Sequence, residues 1–119
     1  MKKITMYGIK NCDSVRKAMK WLNESSIKYQ FHDLRSDGLD RAVLEKWMLS
    51  ISHESILNKK STTWRKLSKE TQKKNSSCEA IELMLEQPTL IKRPVLDVNG
   101  FIYIGFTAEQ YDTIFSSKT

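Results

Sequence analysis

The order in which strand and helix signals follow one another restricts the fold of this 119-residue chain more than any other feature. Residues 3–8 have the β-rich composition of a strand, and residues 27–34 form a second strand-like run with Ile27, Tyr29 and Phe31 on one face. Between them, apolar residues at helical spacing predict a helix from 13 to about 23. A strand–helix–strand unit implies two parallel strands joined by a right-handed crossover.

The middle of the chain, residues 39–87, carries helical signals only. Its apolar residues at helical spacing are Leu44, Trp47, Met48, Ile51, Ala80, Ile81, Met84 and Leu85, with shorter turns at 56–57 and around Trp64 and Leu67. Residues 68–77 are polar and predict an exposed connection, and Pro88 is expected to end the last of these helices.

The last third of the chain returns to strands. Two β-rich runs, 95–98 and 101–104, flank Asn99-Gly100, which is a strong hairpin signal. Thr107 is expected to cap a closing helix. The predicted fold class is therefore α/β, in the order βαβ, helical insertion, ββα. We expect one domain over residues 1–119, with the insertion at about 39–88.

Composition narrows the range of partners and locations. No apolar run approaches the roughly 20 residues of a membrane-spanning helix, and the N-terminus does not resemble a signal peptide, so a cytoplasmic location is expected. The net charge is +6, but the lysines are spread over at least three segments, which favours a solvated surface over a nucleic-acid site. The two cysteines have no metal-ligand spacing and no nearby histidine, so we expect neither a metal site nor a permanent disulfide.

Cys12 lies where the first strand ends and the first helix begins. A thiol at a helix N-terminus faces unpaired backbone N–H groups and the positive end of the helix dipole, and both favour the reactive thiolate. Lys10 adds positive charge nearby, and Asn11 precedes the thiol. The motif Cys-Asp-Ser-Val offers no second cysteine within a helical turn, so an external thiol must resolve any disulfide. Cys78 is expected to be incidental.

A proline far downstream completes a thiol site of the kind found in thioredoxin-type folds. That proline is Pro94, just before a predicted strand, and the fold hypothesis predicts that the Arg93–Pro94 peptide is cis. Arg93 would then lie beside Cys12, where its guanidinium suits carboxylates and oxyanions. A basic cluster at Lys59 and Lys60 is a further candidate anion site, although such a run is often only a solvated face.

Three segments, in order, resemble the arsenate reductase (ArsC) family, and most closely its Spx/YffB-like branch. They are residues 7–18 around Cys12, residues 57–67 around Lys59 and Lys60, and residues 86–96 around Arg93 and Pro94. The resemblance covers nearly the whole chain. It implies a thioredoxin-like fold with an inserted helical subdomain, and it implies an enzyme.

The resemblance also bears on the reaction. Arsenate reductases of the family use one cysteine and three arginines, of which only Arg93 is matched, since Asn58 stands at a second position and no charge lies at 104–106. Val15 replaces the second cysteine of the Spx switch. The predicted function is therefore a glutathione-dependent thiol-disulfide oxidoreductase of the ArsC/YffB type.

In this reaction Cys12 is the catalytic residue, and no cofactor is bound. The predicted substrate-binding residues are Lys10, Asn11, Asn58, Lys59, Lys60, Arg93 and Pro94. Glutathione is the expected co-substrate of a monomeric protein, with glutaredoxin or a protein disulfide as further partners. Two alternatives stay open: a glutaredoxin-coupled arsenate reductase, and a non-catalytic Spx-like adaptor that binds RNA polymerase.

Overall fold

A computed structural model describes residues 3–73 and 76–116. Its strands are β1 (Ile4–Gly8), β2 (Gln30–Asp33), β3 (Val95–Val98) and β4 (Phe101–Ile104). Its α-helices are α1 (Asp13–Glu24), α2 (Arg41–Trp47), α3 (His53–Ile56), α4 (Thr62–Arg65), α5 (Lys69–Lys73), α6 (Ser77–Glu86) and α7 (Ala108–Ser116). The predicted order of strands and helices is confirmed.

The chain divides into two compact units. The first comprises the described residues up to Asp33 together with those from Arg93 onward, and the second is Leu34–Lys92. The prediction of a single domain with an insertion stays a prediction. No helix in the described ranges has the length and apolar character needed to cross a membrane.

The first unit is built on a four-stranded sheet with the strand order β2-β1-β3-β4. β1 pairs with β2 in parallel, as the strand–helix–strand signal predicts, while β3 is antiparallel to both β1 and β4. Asn99 (φ 53°) and Gly100 (φ 94°) both adopt the positive φ of a tight hairpin turn. The hairpin therefore brings β4 back beside β3 at the edge of the sheet.

The core of the first unit lies where α1 and α7 pack against the sheet. Its fully buried members are Ile4, Met6, Val15, Ala18, Leu22, Leu96, Val98 and Tyr111. The hydroxyl of Thr107 accepts a hydrogen bond from Gln110 N (3.0 Å), so this residue caps α7 as expected. The cap directs Tyr111 inward between the rings of Trp21, Phe106 and Phe115.

The second strand is shorter than predicted, because α1 ends in a motif that uses the backbone of the following residues. Ser26 adopts φ 56°, its N–H donates to Asn23 O (3.1 Å), and Ile27 N–H donates to Leu22 O (2.9 Å). These paired bonds satisfy the last carbonyls of the helix. The prediction of a strand from residue 27 is therefore wrong, and β2 begins at Gln30.

The second unit consists of short helices around an apolar centre. Its buried residues include Leu44, Trp47, Ile56, Leu57, Ala80, Ile81, Met84, Leu90 and Ile91. A capping box starts α6, since Ser76 Oγ accepts from Glu79 N (3.1 Å) while the Glu79 carboxylate accepts from Ser76 N. α6 ends at Glu86, and Pro88 opens a 3₁₀ turn, as its missing N–H requires.

Residues 68–77 were predicted to be an exposed connection. No residue of Lys69–Lys73 is buried, which agrees with the prediction, but these residues form the helix α5. Ser68 Oγ accepts a hydrogen bond from Thr71 N (3.1 Å), which caps the helix start, but α5 buries no residue. A helix without an apolar face leaves no periodic signal in the sequence. Residues 74 and 75 lie outside the described residues.

The hydroxyl of Tyr111 gives a stability prediction. The side chain is fully buried, its hydroxyl has no hydrogen-bond partner within the described ranges, and burial raises its pKa, so the phenol stays neutral. An unsatisfied buried hydroxyl costs about 1–3 kcal/mol. We expect Tyr111→Phe to raise the free energy of unfolding by about 1 kcal/mol in urea titrations.

Tyr29 provides the matched control, because its hydroxyl interacts with the Asn23 side chain. Tyr29→Phe should be neutral or destabilising in the same titration. A loss of stability in Tyr111→Phe comparable to that in Tyr29→Phe would contradict the prediction.

Candidate functional site at the start of the first helix

The turn between β1 and α1 places Cys12 at the N-cap of the helix. Cys12 N donates to Ile9 O (3.2 Å), and Arg16 N donates to Cys12 O (3.0 Å). The backbone of Cys12 is extended (φ −113°, ψ 127°), as is typical of an N-cap residue. The sulfur therefore lies at the open end of α1, where the backbone N–H groups have no partner within the helix.

Gly8 allows α1 to approach β1 closely. A Cβ atom built on Gly8 would lie 2.7 Å from Cγ2 of Val15, which is buried in the first turn of the helix. The close approach fixes the position of the turn that carries Cys12. The sequence analysis did not single out this residue, although a glycine that ends a strand shortly before a helix is a recognisable signal.

We expect Gly8→Ala to destabilise the protein by about 1–3 kcal/mol, because the added methyl group overpacks the contact with Val15. Urea titration measures the loss, and alkylation of Cys12 at fixed pH measures any displacement of the thiol. The double variant Gly8→Ala/Val15→Ala would recover part of the loss attributed to the clash. If Gly8→Ala is as stable as the parent protein, the close approach is not required.

The surroundings of Cys12 favour its thiolate. Burial of the partly exposed side chain raises the pKa, but three neighbours more than offset this effect. The N–H groups of Val15 and Ser14 stabilise the negative charge, and the Arg93 guanidinium acts both as a hydrogen-bond donor to the sulfur and as a positive charge. The net result is a pKa below that of an ordinary cysteine.

Arg93 approaches Cys12 because it lies two residues before β3, the neighbour of β1 in the sheet. The Arg93–Pro94 peptide is cis, as predicted, and Pro94 is buried with its carbonyl accepting from Gly105 N (2.8 Å). The Nε and Nη1 atoms of Arg93 are buried and have no hydrogen-bond partner among the residues that the structure describes. The guanidinium therefore has unused donors beside the thiol, which suits a carboxylate or an oxyanion.

The predicted substrate-binding residues fall into two groups. Lys10, Asn11, Arg93 and Pro94 belong to the same unit as Cys12, and both Lys10 and Asn11 are exposed in the turn that precedes it. Asn58, Lys59 and Lys60 belong to the second unit, so their participation stays a prediction.

The residues of the second group contact other residues of their own loop and of α4. Asn58 Oδ1 accepts from Lys60 N (3.1 Å) and Asn58 O accepts from Ser61 Oγ (2.8 Å), so Asn58 shapes the turn that leads into α4. Lys59 Nζ lies 5.5 Å from the centroid of the partly buried Trp64 ring.

Neither the second cysteine nor the histidine and acidic side chains of the described residues form an additional site. Cys78 is exposed at the second position of α6, and both cysteines are free thiols. In the described part of the chain, no group of three or more histidine, cysteine, aspartate or glutamate side chains could hold a metal ion. The chemistry is therefore concentrated at Cys12 and Arg93.

The electrostatics of the site predict the pH dependence of Cys12 reactivity. A lowered pKa means that the thiolate persists to lower pH than in an ordinary cysteine of pKa about 8.5, so alkylation should remain fast on the acidic side of that value. In a Cys78→Ser background, the midpoint of the rate of iodoacetamide alkylation against pH should lie below 8.5. The same profile measured in 6 M urea provides the unfolded control. Coincident midpoints would show that the fold does not perturb the thiol.

A four-stranded sheet flanked by α1 and α7, with a cysteine at the helix start and a cis-proline before β3, defines a protein of thioredoxin-like fold. A glutaredoxin from Archaeoglobus fulgidus shares this fold at a TM-score of 0.51 and 13% identity, over 98% of this chain and 89% of that one. The ArsC family model matches residues 7–114, and the chain belongs to the ArsC family.

Individual relatives confirm the predicted branch. An uncharacterized protein of Haemophilus influenzae is 42% identical over 113 residues, which cover 95% of this chain and 99% of that protein. The global transcriptional regulator Spx of Streptococcus mutans is 31% identical over 110 residues, covering 90% of this chain and 79% of the regulator. A solved structure of a protein named YFFB superimposes with a TM-score of 0.89 at 40% identity, over 93% of this chain and 97% of that one.

Proposed function

We propose that this protein is a glutathione-dependent thiol-disulfide oxidoreductase with Cys12 as its nucleophile. The observation that supports this function best is the thiol itself: Cys12 has a lowered pKa, remains partly exposed, and lies beside a guanidinium with unused donors. A thiolate stabilised in this way attacks disulfides, and an adjacent cation recruits an anionic thiol substrate.

The reaction we propose is an exchange of two disulfide bonds. The Cys12 thiolate attacks the glutathionyl sulfur of a mixed disulfide between a substrate thiol and glutathione. The original S–S bond breaks, the substrate sulfur leaves as a thiolate and takes up a proton, and Cys12 becomes glutathionylated. The thiolate of a second glutathione then attacks the glutathionyl sulfur on Cys12. Oxidised glutathione leaves, and Cys12 is again a thiolate.

The neighbouring residues have separate roles in this proposal. Arg93 holds a glutathione carboxylate through the donors that the protein leaves unused, and it also stabilises the departing Cys12 thiolate in the second step. Pro94 is proposed to hold the backbone of Arg93 next to the thiol, where the peptide part of glutathione can pair, since the Pro94 carbonyl already accepts from Gly105 N. Lys10 and Asn11 flank the entrance, and Asn58, Lys59 and Lys60 are proposed to contribute further anion-binding groups.

Arsenate reduction is less well supported than thiol exchange. Arg93 is the arginine that lies beside Cys12. The family resemblance leads us to expect two further arginines, but one of those positions holds Asn58 and the other falls among the uncharged residues 104–106. Each missing charge-assisted hydrogen bond would cost about 1.5–3 kcal/mol in oxyanion binding. Glutathione needs fewer charged contacts than a tetrahedral oxyanion bound by three arginines.

The similarity to Spx supports a second candidate, a non-catalytic regulator that binds another protein. In that case the thiol would be dispensable or would act only as a sensor. A biological activity that survives in Cys12→Ser would favour the regulator over the oxidoreductase.

Two measurements test the proposed function. First, reduced Cys78→Ser protein is mixed with oxidised glutathione, and intact mass spectrometry should find one glutathione, which peptide mapping places on Cys12. Second, the protein should reduce hydroxyethyl disulfide with glutathione in an assay coupled to glutathione reductase and NADPH. A folded protein that forms no adduct and gives no turnover above the uncatalysed rate would overturn the proposal.

A further inference from the structure

A short part of the second unit carries nearly all of the net charge of the chain. Residues 59–73 contain six of the twenty lysines and arginines and one of the fourteen acidic residues, so they supply +5 of the net +6. The six cations are Lys59, Lys60, Arg65, Lys66, Lys69 and Lys73, and all of them are exposed. The remainder of the chain is close to neutral.

Within the described residues, these cations form no ion pairs. Elsewhere, Arg16 pairs with Asp13 and Arg41 pairs with Glu82, each at 3.3 Å or less. Across the described residues, none of the six cations between 59 and 73 forms an ion pair, although Glu70 lies among them. Like charges crowded without partners repel one another, so the arrangement does not stabilise the fold.

Hydrogen bonds hold the two helices that carry Arg65, Lys69 and Lys73. Gln72 Nε2 donates to Trp64 O (2.8 Å), which links α5 to α4, and Thr63 Oγ1 shares a hydrogen bond with Thr89 Oγ1 (2.8 Å). We call Arg65, Lys66, Lys69 and Lys73 the α4–α5 basic surface. Because its backbone is tied at these points, the surface presents its charges without having to fold first.

We propose that the α4–α5 basic surface binds an acidic segment of another protein. Charge complementarity carries the proposal, since an unpaired basic surface on a chain that is otherwise nearly neutral steers and orients an acidic partner. The proposal is independent of the thiol chemistry proposed for Cys12.

The surroundings of the surface favour a protein partner over nucleic acid. The neighbouring aromatic ring, Trp64, is partly buried and lies against Lys59, so it offers no free platform for base stacking. The helices α4 and α5 have four and five residues, too short to occupy a nucleic-acid groove as a recognition helix does.

The test uses a fluorescein-labelled peptide of ten glutamates and a labelled ten-nucleotide oligo(dT), titrated with the full-length protein at low salt. We expect the triple variant Lys66→Gln/Lys69→Gln/Lys73→Gln to weaken peptide binding about tenfold, as the loss of three exposed charge contacts implies. The control Lys20→Gln/Lys28→Gln/Lys46→Gln removes the same charge from exposed positions elsewhere and should change binding less than twofold.

The outcomes separate the alternatives. Equal weakening by both triple variants would show that only net charge matters and would overturn the proposal. Tighter binding of the oligonucleotide than of the peptide, lost in the first variant, would assign the surface to nucleic acid and would also overturn it. Glutathione-dependent disulfide reduction should be unchanged in both variants, so its absence in the parent protein would count against the proposed function alone.

Discussion

Replacing Cys12 by serine is expected to abolish glutathione-dependent disulfide reduction, with a loss of at least about 10³-fold. A serine oxygen cannot form a disulfide, so both exchange steps lose the atom on which they depend. The measurement is the steady-state rate with hydroxyethyl disulfide and glutathione, together with intact mass after exposure to oxidised glutathione. The side chain is partly exposed and makes no capping hydrogen bond, so the fold should be preserved.

Cys78→Ser is the matched control for this prediction. Cys78 is an exposed free thiol in the second unit, so its loss should leave the rate within about twofold of the parent protein. Thermal unfolding of both variants checks that neither effect comes from loss of structure. If Cys12→Ser retained turnover while Cys78→Ser lost it, the nucleophile would have been assigned to the wrong cysteine.

Replacing Arg93 by methionine is expected to lower kcat/KM for glutathione about 10- to 100-fold. The side chain donates to the Cys12 sulfur, and its Nε and Nη1 atoms are available for a substrate carboxylate. A charge-assisted hydrogen bond contributes about 1.5–3 kcal/mol, which corresponds to this range of rates. The same substitution should raise the pKa of Cys12, because it removes a positive charge that favours the thiolate.

Two further variants separate the roles of Arg93. Arg93→Lys keeps the charge but lacks the planar fork, so it should restore the pKa of Cys12 more fully than it restores KM for glutathione. Lys92→Met removes an exposed cation one residue away and should change neither quantity. If Lys92→Met reduced the rate as much as Arg93→Met, the effect of Arg93 would come from the net charge of the region and not from contact with the thiol or the substrate. An unchanged alkylation profile in Arg93→Met would show that the guanidinium does not act on the thiol.

The local signals in the sequence were sufficient for most of the helices and strands. Asn99-Gly100 predicted a hairpin because the two positive φ angles of its turn are accessible to these residue types. The spacing of Val15, Ala18 and Leu22 predicted α1 because burial of one helix face requires that spacing. The sequence could not predict α5, which buries no residue, or the start of β2, which depends on the hydrogen bonds that end α1.

The candidate site also combines residues that the sequence could predict with residues that it could not. The position of Cys12 between a strand and a helix pointed to a reactive thiol, because the groups that lower its pKa include the N–H groups of the next few residues. Gly8 escaped notice because its importance lies in a contact with Val15 that forms only after the helix folds back on the strand.

The sequence by itself determined the type of each major element, the thiol at the start of α1 and the absence of a second cysteine within its turn. These features depend on neighbours in the chain, and local conformational preferences act over that range. Only the tertiary structure decided that Arg93 lies beside Cys12, with donors left for a ligand. Eighty residues of chain separate the two, and it is the pairing of β3 with β1 that brings them together.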